Sequence, residues 1–191
     1  VQDKQKNIAG SATLVFDGSI DLPAKKVYGN ELKEIKKFGK RTAEFCRFVI
    51  SPDFRHSKEI LVLLFNYAAI YINSVKKYDG LAIEVTPRHK NYYKSLLCFD
   101  EVGSEKCCPQ VQNTVGVLLY LSASRYQSAI KGKADLQNVE KKDRSLYPYF
   151  LSFEQESLVA YYLKKQAKPM TEEEKMYFGF SESGVNFAVC V

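Results

Sequence analysis

A carboxylate set in the middle of an apolar strand is the first residue in this chain that asks for a chemical reason. Thr42 to Ile50 is rich in aromatic and β-branched residues and stops at Ser51-Pro52-Asp53, so it reads as a strand. Alternation puts Thr42, Glu44, Cys46, Phe48 and Ile50 on one face, and Arg41, Ala43, Phe45, Arg47 and Val49 on the other. Glu44 then shares its face with three apolar side chains. An unpaired carboxylate is costly to bury, so it must be paired, protonated or functional. Desolvation raises its pKa toward neutrality, which suits a general base. A structural ion pair, with Arg47 or with an arginine from outside this sequence, accounts for it equally well.

Two further groups lie downstream. Arg55-His56-Ser57-Lys58 stands between the strand and a long helix, where helix N-terminal amides and three basic side chains could hold an anion. The loop has no glycine, so it is a poor backbone cradle for a diphosphate, and a solvated basic turn is the alternative. Pro87-Arg88-His89 opens a short helix that carries Tyr92-Tyr93. His89 and Tyr93 are four apart and share a helix face. A tyrosine beside a thioester sulfur can protonate a departing thiolate. Packing tyrosines and a capping histidine are the structural reading of the same residues.

These groups depend on a particular order of elements. Ser11 to Asp17 reads as a strand ended by Asp17-Gly18, and a helix is expected from about Tyr28 to Phe38, closed by Gly39. After the Thr42–Ile50 strand, Ser57 to Tyr78 reads as a long helix, apolar nearly all round and therefore buried. Leu81 to Val85 follows as a buried strand. A strand–helix–strand unit of this length is a crossover, so its two strands should lie parallel. Pro87 starts a helix to about Leu97, and Phe99–Val102 and Thr114–Leu121 are further strands. Lys131 to Ser145 is a polar linker or surface excursion. Beyond it, Ser152-x-x-Gln155 and Thr171-x-x-Glu174 fit capping boxes that start helices near Phe153 and Glu172. The aromatics of this tail, among them Tyr147, Phe150, Phe178 and Phe180, are expected to dock on the main domain.

The composition fits this frame. The chain has 191 residues, 46% hydrophobic and 26% charged, with a net charge of +6, enough for one domain with a proper core. The basic residues carry no nucleic-acid motif; Lys25 to Arg41 is the most basic stretch, and a basic face suits an acidic partner or a phosphate-bearing ligand, with a solvated surface as the favoured alternative. The five cysteines (Cys46, Cys98, Cys107, Cys108, Cys190) show no zinc spacing, and two histidines make no metal site, so no metal is expected. Reduced thiols, no signal-peptide pattern and an apolar run too short to span a bilayer point to a cytoplasmic protein without an integral membrane segment.

The pattern resembles the GNAT N-acyltransferase superfamily, and within it the long-chain N-acyl amino acid synthases and the related acyl-homoserine-lactone synthases. The residues that carry the likeness are Gly10-Ser-Ala-Thr-Leu14 with Asp17, Leu22-Pro23, Glu31-Leu32, Glu44-x-x-Arg47-Phe48, Pro87-x-His89-x-x-Tyr92-Tyr93 and Leu96-Leu97-x-Phe99. Pro169-Met170-Thr171, Glu174 and Tyr177-Phe178-Gly179 add a weaker match in the tail, and Cys98-Phe99 stands where many relatives carry Gly-Phe. The resemblance implies an α/β (α+β) fold. Its mixed β-sheet is flanked by helices and splays between two central strands, with a helical C-terminal extension. The core would span residues 1–132, and the linker and extension residues 133–191. Such a core begins with a strand and helices ahead of the strand at Ala12–Phe16, so a preceding segment is expected.

The resemblance also implies an N-acyltransferase in which a pantetheine arm enters the splay and an amine attacks the thioester directly. Glu44 matches the glutamate that accepts the amine proton, and Tyr93 falls near the thiolate-protonating tyrosine. Phe48, Val49 and Ile50 would supply backbone amides to the thioester carbonyl, with Arg55, His56, Ser57 and Lys58 holding the donor's phosphate. Arg47, Val85 and His89 would contact the substrate. The donor is an acyl-phosphopantetheine thioester. The missing loop glycines favour acyl carrier protein as partner over acyl-CoA, and the acceptor is the amine of an amino acid or similar small molecule. An acetyl-CoA-dependent GNAT N-acetyltransferase and a non-catalytic GNAT-like binding module are the alternatives.

Overall fold

The computed structural model describes residues 1–18, 21–109, 112–133, 144–166, 168–169 and 171–177. Most of the polar stretch after Lys133, and Phe178, Phe180 and Cys190, lie outside the described residues. Five strands form one mixed sheet in the order β1-β2-β3-β5-β4. They are β1 (Gly10–Phe16), β2 (Thr42–Ile50), β3 (Gly80–Val85), β4 (Asp100–Cys108) and β5 (Thr114–Ser122). β1 pairs antiparallel with β2, and β3 and β4 each pair antiparallel with β5.

The two central strands are parallel, as the crossover predicts, but their ladder is short. It joins Thr42, Ala43 and Glu44 to Gly80, Leu81 and Ala82, and then the strands part. The crossover is α2 (Lys58–Ile70), continued by a π-helical turn over Tyr71–Val75, so the regular helix ends earlier than its apolar pattern suggests. It packs with α3 (Pro87–Leu97) and α4 (Ala123–Lys133) on one face of the sheet, where Phe45, Phe65, Ile83, Leu97, Val117 and Leu119 meet in the main core. By length and composition alone Lys58–Val75 could cross a membrane; in this fold more than half of it is buried against other elements. On the other face lies α1 (Lys25–Ile35), whose Tyr28 and Leu32 pack on Val15, Ala82 and Leu118.

Further elements differ from their sequence pattern. β2 does not alternate throughout: Ser11 pairs with Val49 but Thr13 pairs with Cys46, so β2 carries one extra residue. Arg47 takes the left-handed conformation (φ 50°) at this bulge. The bulge turns Phe48 onto the Phe45 face, where both rings pack on Phe65. Glu44 therefore does not share a face with Phe48. β4 runs to Cys108, well past Val102, and it is the polar edge strand of the sheet, which hides it from a hydrophobic pattern. Among its described residues α4 has only Tyr126 and Ile130 as buried anchors, too few to stand out in the sequence.

The chain after α4 closes the core. Tyr147, Phe150, Ala160 and Leu163 belong to the main apolar cluster. α5 (Phe153–Gln166) starts at a reciprocal capping box: the Ser152 amide donates to Gln155 Oε1 at 2.9 Å, and the Gln155 amide donates to Ser152 Oγ at 3.4 Å. α6 (Glu172–Tyr177) begins after Thr171, where the second capping box is expected. A buried polar network ties α5 to α2 and α4. Tyr126 donates to Glu156 Oε1 at 2.6 Å, Asn66 donates to the Tyr126 hydroxyl at 3.3 Å, and the Leu151 amide donates to Asn66 Oδ1 at 3.0 Å.

Removing one member of this network leaves buried partners unsatisfied. Asn66→Leu should lower the unfolding free energy by about 1–3 kcal/mol in urea denaturation. Glu156 gives a pH signature. Burial pushes its carboxyl above 4.5, so the folded chain keeps a proton that the unfolded chain has lost. This contribution is complete at low pH and falls as pH rises through the raised value. Glu156→Gln should therefore flatten the decline in stability from about pH 4.5 upward, as read from the midpoint of unfolding at each pH.

Candidate active site

Where β2 and β3 part, the backbone edge of each strand loses its opposite number. Two cavities open there, one on each face of the sheet. The larger, about 650 Å³, lies on the α2–α3 side and is bounded by Phe45, Phe48, Ile50, Leu61, Ile83 and Tyr93. The smaller, about 300 Å³, lies on the α1 side and is bounded by Pro23, Glu44, Cys108, Thr114 and Gly116. Cys46, Arg47, Glu84, Val85 and Thr86 border both, so the cavities meet at the split.

Glu44 is the last residue of β2 in the parallel ladder and is 2% exposed. Its Oε2 accepts the Ala24 amide at 2.9 Å, which fastens the carboxyl to the start of α1. Burial pushes its pKa up to about 7, the Ala24 hydrogen bond opposes that, and the negative charge of Glu84 adds to it. A carboxyl poised at that value can take a proton at neutral pH.

Tyr93 borders the larger cavity on the opposite side of the split. Its ring sits edge-on to Phe65 (5.9 Å) and Phe99 (6.3 Å), and burial raises its hydroxyl above the ordinary tyrosine value. A raised phenol is fully protonated at neutral pH, so it holds a proton beside the larger cavity. Pro87 occupies the first turn of α3, and Thr86, in extended conformation before it, turns β3 into that helix. Thr86 Oγ1 lies 3.2 Å from His89 Nδ1.

The remaining residues expected at the site fall as follows. Arg55, His56, Ser57 and Lys58 line the larger cavity at its mouth. Ser57 precedes α2 in extended conformation and makes no side-chain cap, so the first-turn amides face that mouth uncapped by its hydroxyl. Phe48, Ile50 and His89 line the same cavity, and Arg47 and Val85 line both. Val49 is the exception: it pairs with Ser11, is 58% exposed and borders neither cavity. The bulge at Arg47 is the reason, because it shifts the pointing order of every residue after it.

The basic stretch Lys25–Arg41 does not form a continuous patch at the mouth. Lys25, Lys36 and Lys37 pair with Asp21, Asp17 and Glu34. Arg41 precedes the first residue of β2, whereas Arg55 follows its last, so the two lie at opposite ends of a nine-residue strand.

Glu84 went unread in the sequence. It stands two residues beyond Ala82, the partner of Glu44, and so faces the same side of the sheet. Alternation along Leu81–Val85 would have marked it by the same reasoning that marks Glu44.

This geometry can be set beside known proteins. Residues 1–122 match the family described as N-acyl amino acid synthase FeeM. The chain belongs to the FeeM family of N-acyl amino acid synthases. The solved structure of FeeM, an N-acyl amino acid synthase from uncultured soil microbes, superposes on this FeeM-family chain with a TM-score of 0.59. It is 26% identical and covers 66% of this chain and 72% of that one. Spermidine/spermine N-acetyltransferase SpeG from Vibrio cholerae is a more distant match, with a TM-score of 0.46 and 20% identity over 66% of this chain and 65% of that one. No curated protein matches the chain in sequence. This FeeM-family protein is thus an N-acyltransferase built on a mixed five-stranded sheet.

The bulge that shapes the site has a measurable backbone requirement. A left-handed residue costs about 1–2 kcal/mol unless it is glycine, and a β-branched side chain fits worst there. Arg47→Val should unfold at lower denaturant than Arg47→Gly, by about 1–2 kcal/mol, although both remove the guanidinium.

Proposed function

We propose that this FeeM-family enzyme moves an acyl group from a phosphopantetheine thioester to the amine of an amino acid or similar small molecule. The observation that carries the reading is the meeting of two unlike cavities at one break in the sheet. A phosphate-bearing arm suits the larger one, whose mouth has Arg55, His56, Lys58 and the first-turn amides of α2. An amine suits the smaller one, which holds the buried carboxyl of Glu44.

In the proposed reaction the amine nitrogen attacks the thioester carbon and Glu44 takes a proton from that nitrogen. As the tetrahedral intermediate collapses, the carbon–sulfur bond breaks, the new amide remains, and Tyr93 gives its proton to the thiolate. The Tyr93 phenolate regains a proton from Glu44 or from water. Freed backbone amides of β2 beside Phe48 and Ile50 would hold the developing oxyanion. Arg47, Val85 and His89 would orient the reactants where the cavities meet.

For the donor we favour a long acyl chain on acyl carrier protein. The larger cavity continues between apolar walls of Phe45, Phe48, Leu61 and Ile83, and its mouth presents basic side chains without a glycine-rich diphosphate loop. An acidic carrier protein would meet Arg55 and Lys58 there rather than the distant end of the Lys25–Arg41 segment. In this reading residues 1–132 carry the reaction and the following helices brace the core, all within the cytoplasm.

The assay is to incubate the enzyme with acyl carrier protein and coenzyme A thioesters of several chain lengths plus mixed amino acids, with products identified by mass spectrometry. Long-chain N-acyl amino acids are expected, at a rate rising through about pH 7 as Glu44 loses its proton. Glu44→Gln should remove that limb and lower kcat by about 10²–10⁴-fold. Product from acetyl-CoA alone would make the enzyme an acetyltransferase. Absence of product from every donor would leave a binding module. Charge reversal at Arg55 and Lys58 should impair the carrier-protein donor by about tenfold and spare a short N-acetylcysteamine thioester.

A further inference from the structure

The acceptor chemistry leaves one proton without a destination. A primary amine at neutral pH arrives as an ammonium ion with three protons. One stays on the amide nitrogen and one goes to Glu44 in the attack. The first must leave before the nitrogen has a lone pair to attack with. The site contains a group for it.

Glu84 borders both cavities, whereas Glu44 borders only the smaller and has one oxygen engaged by the Ala24 amide. Glu84 lies on β3 just past the end of the parallel ladder, at the level where the strands part. Its side chain rests on β5 over Gly116: a Cβ there would come within 2.3 Å of Glu84 Oε1. Glycine at 116 is therefore what leaves room for the carboxyl. It is half-buried.

We infer that Glu84 receives the acceptor as its ammonium ion and takes the first proton, so that two carboxylates serve one amine in sequence. The inference rests on the acyltransferase reading. Written out, the ammonium N–H proton passes to Glu84, the freed lone pair forms the N–C bond, and Glu44 takes the second proton. The C–S bond breaks and the thiolate takes a proton from Tyr93. Per turnover the thiol keeps one proton and one is released to water. The pairing selects acceptors that arrive cationic and disfavours alcohols of the same shape, which bring no charge to pair with a carboxylate.

Several groups share the setting of Glu84 and enter its titration. Glu44, Cys46 and Arg47 of β2 border the same cavities, the Cys108 thiol of β4 donates to it, and Tyr28 of α1 feels its charge. Burial holds protons on the carboxyl, the Cys108 hydrogen bond favours its charged form, and its own charge raises the Glu44 carboxyl in turn.

The test compares wild type with Glu84→Gln and Gly116→Ala. Glu84→Gln keeps the shape, and Gly116→Ala displaces only the end of a flexible side chain. Each should lower kcat/KM for the amine by about 10²-fold at pH 7 with donor KM unchanged. The pH profile separates this role from simple packing. Wild type should level off above about pH 7, whereas both variants should keep rising toward the amine's own pKa, because they use only the free base. NMR titration of the donor-free protein with hexylammonium against heptanol needs no turnover, so it tests Glu84 even if the acyltransferase reading fails. Wild type should prefer the ammonium probe by about tenfold and both variants should lose that preference. Unchanged kcat/KM and pH profile in Glu84→Gln, or an unchanged ammonium preference in that variant, would overturn the inference.

Discussion

The rest of the structure depends on a parallel strand pair that stops pairing halfway. Backbone amides and carbonyls need partners, so a break between two central strands is costly unless something else holds the halves together. Here β1 pairs along β2, and β5 pairs along β3 from Gly80 to Val85, so each half keeps a full ladder on its outer side. The inner edges are then free to part after Glu44 and Ala82. A cluster of rings, Phe45, Phe48 and Phe65 with Tyr93 against Phe65, walls the opening on one face. The bulge at Arg47 supplies two of those rings from the same side of β2, which a regular strand could not do.

That break determines how charge is arranged. Glu44 borders only the smaller cavity, whereas Arg55, His56 and Lys58 border only the larger; Glu84 and Arg47 stand where the two meet. Had Glu44 shared a cavity with Arg55 and Lys58, it could have paired with them and been closed to a substrate. With the sheet between them, Glu44 stays on the α1 side and Arg55, His56 and Lys58 on the α2–α3 side. Burial raises both carboxyl pKa values, and the charge of Glu84 adds to the rise at Glu44, which reaches about 7. A group that sits near its titration point at neutral pH is a poor stabiliser and a good proton acceptor.

Much of this was legible from residues alone. The Thr42–Ile50 strand, the crossover helix, Pro87 opening α3 and the Ser152 capping box follow from local rules of turn, cap and period, and local rules held there. The features that escaped depend on partners distant in sequence. Whether Phe48 faces the Glu44 side is decided by a bulge opposite β1, and a non-glycine residue in a left-handed conformation leaves no compositional trace. The polar β4 is a strand only because β5 offers an antiparallel edge. Glu84 differs again: the alternation that marks it was present, and it was masked by reading Leu81–Val85 as uniformly buried.

The C-terminal helices extend the same logic to stability. A split sheet carries less hydrogen bonding across its middle than a continuous one, so rigidity there must come from packing on its faces. α2 spans the split as the crossover, and α5 reaches it through Asn66, Tyr126 and Glu156. Asn66 is a single polar position in an otherwise apolar run, and all of its amide is used: the oxygen accepts the Leu151 amide, and the nitrogen donates to Tyr126 and Glu156. Such a network contributes little net energy when complete and fixes one docking geometry, because any other register would bury its members unpaired. The helix that backs the cavity is therefore held in position by polar matching, leaving the apolar surface of Phe45, Phe48 and Leu61 available to the cavity itself.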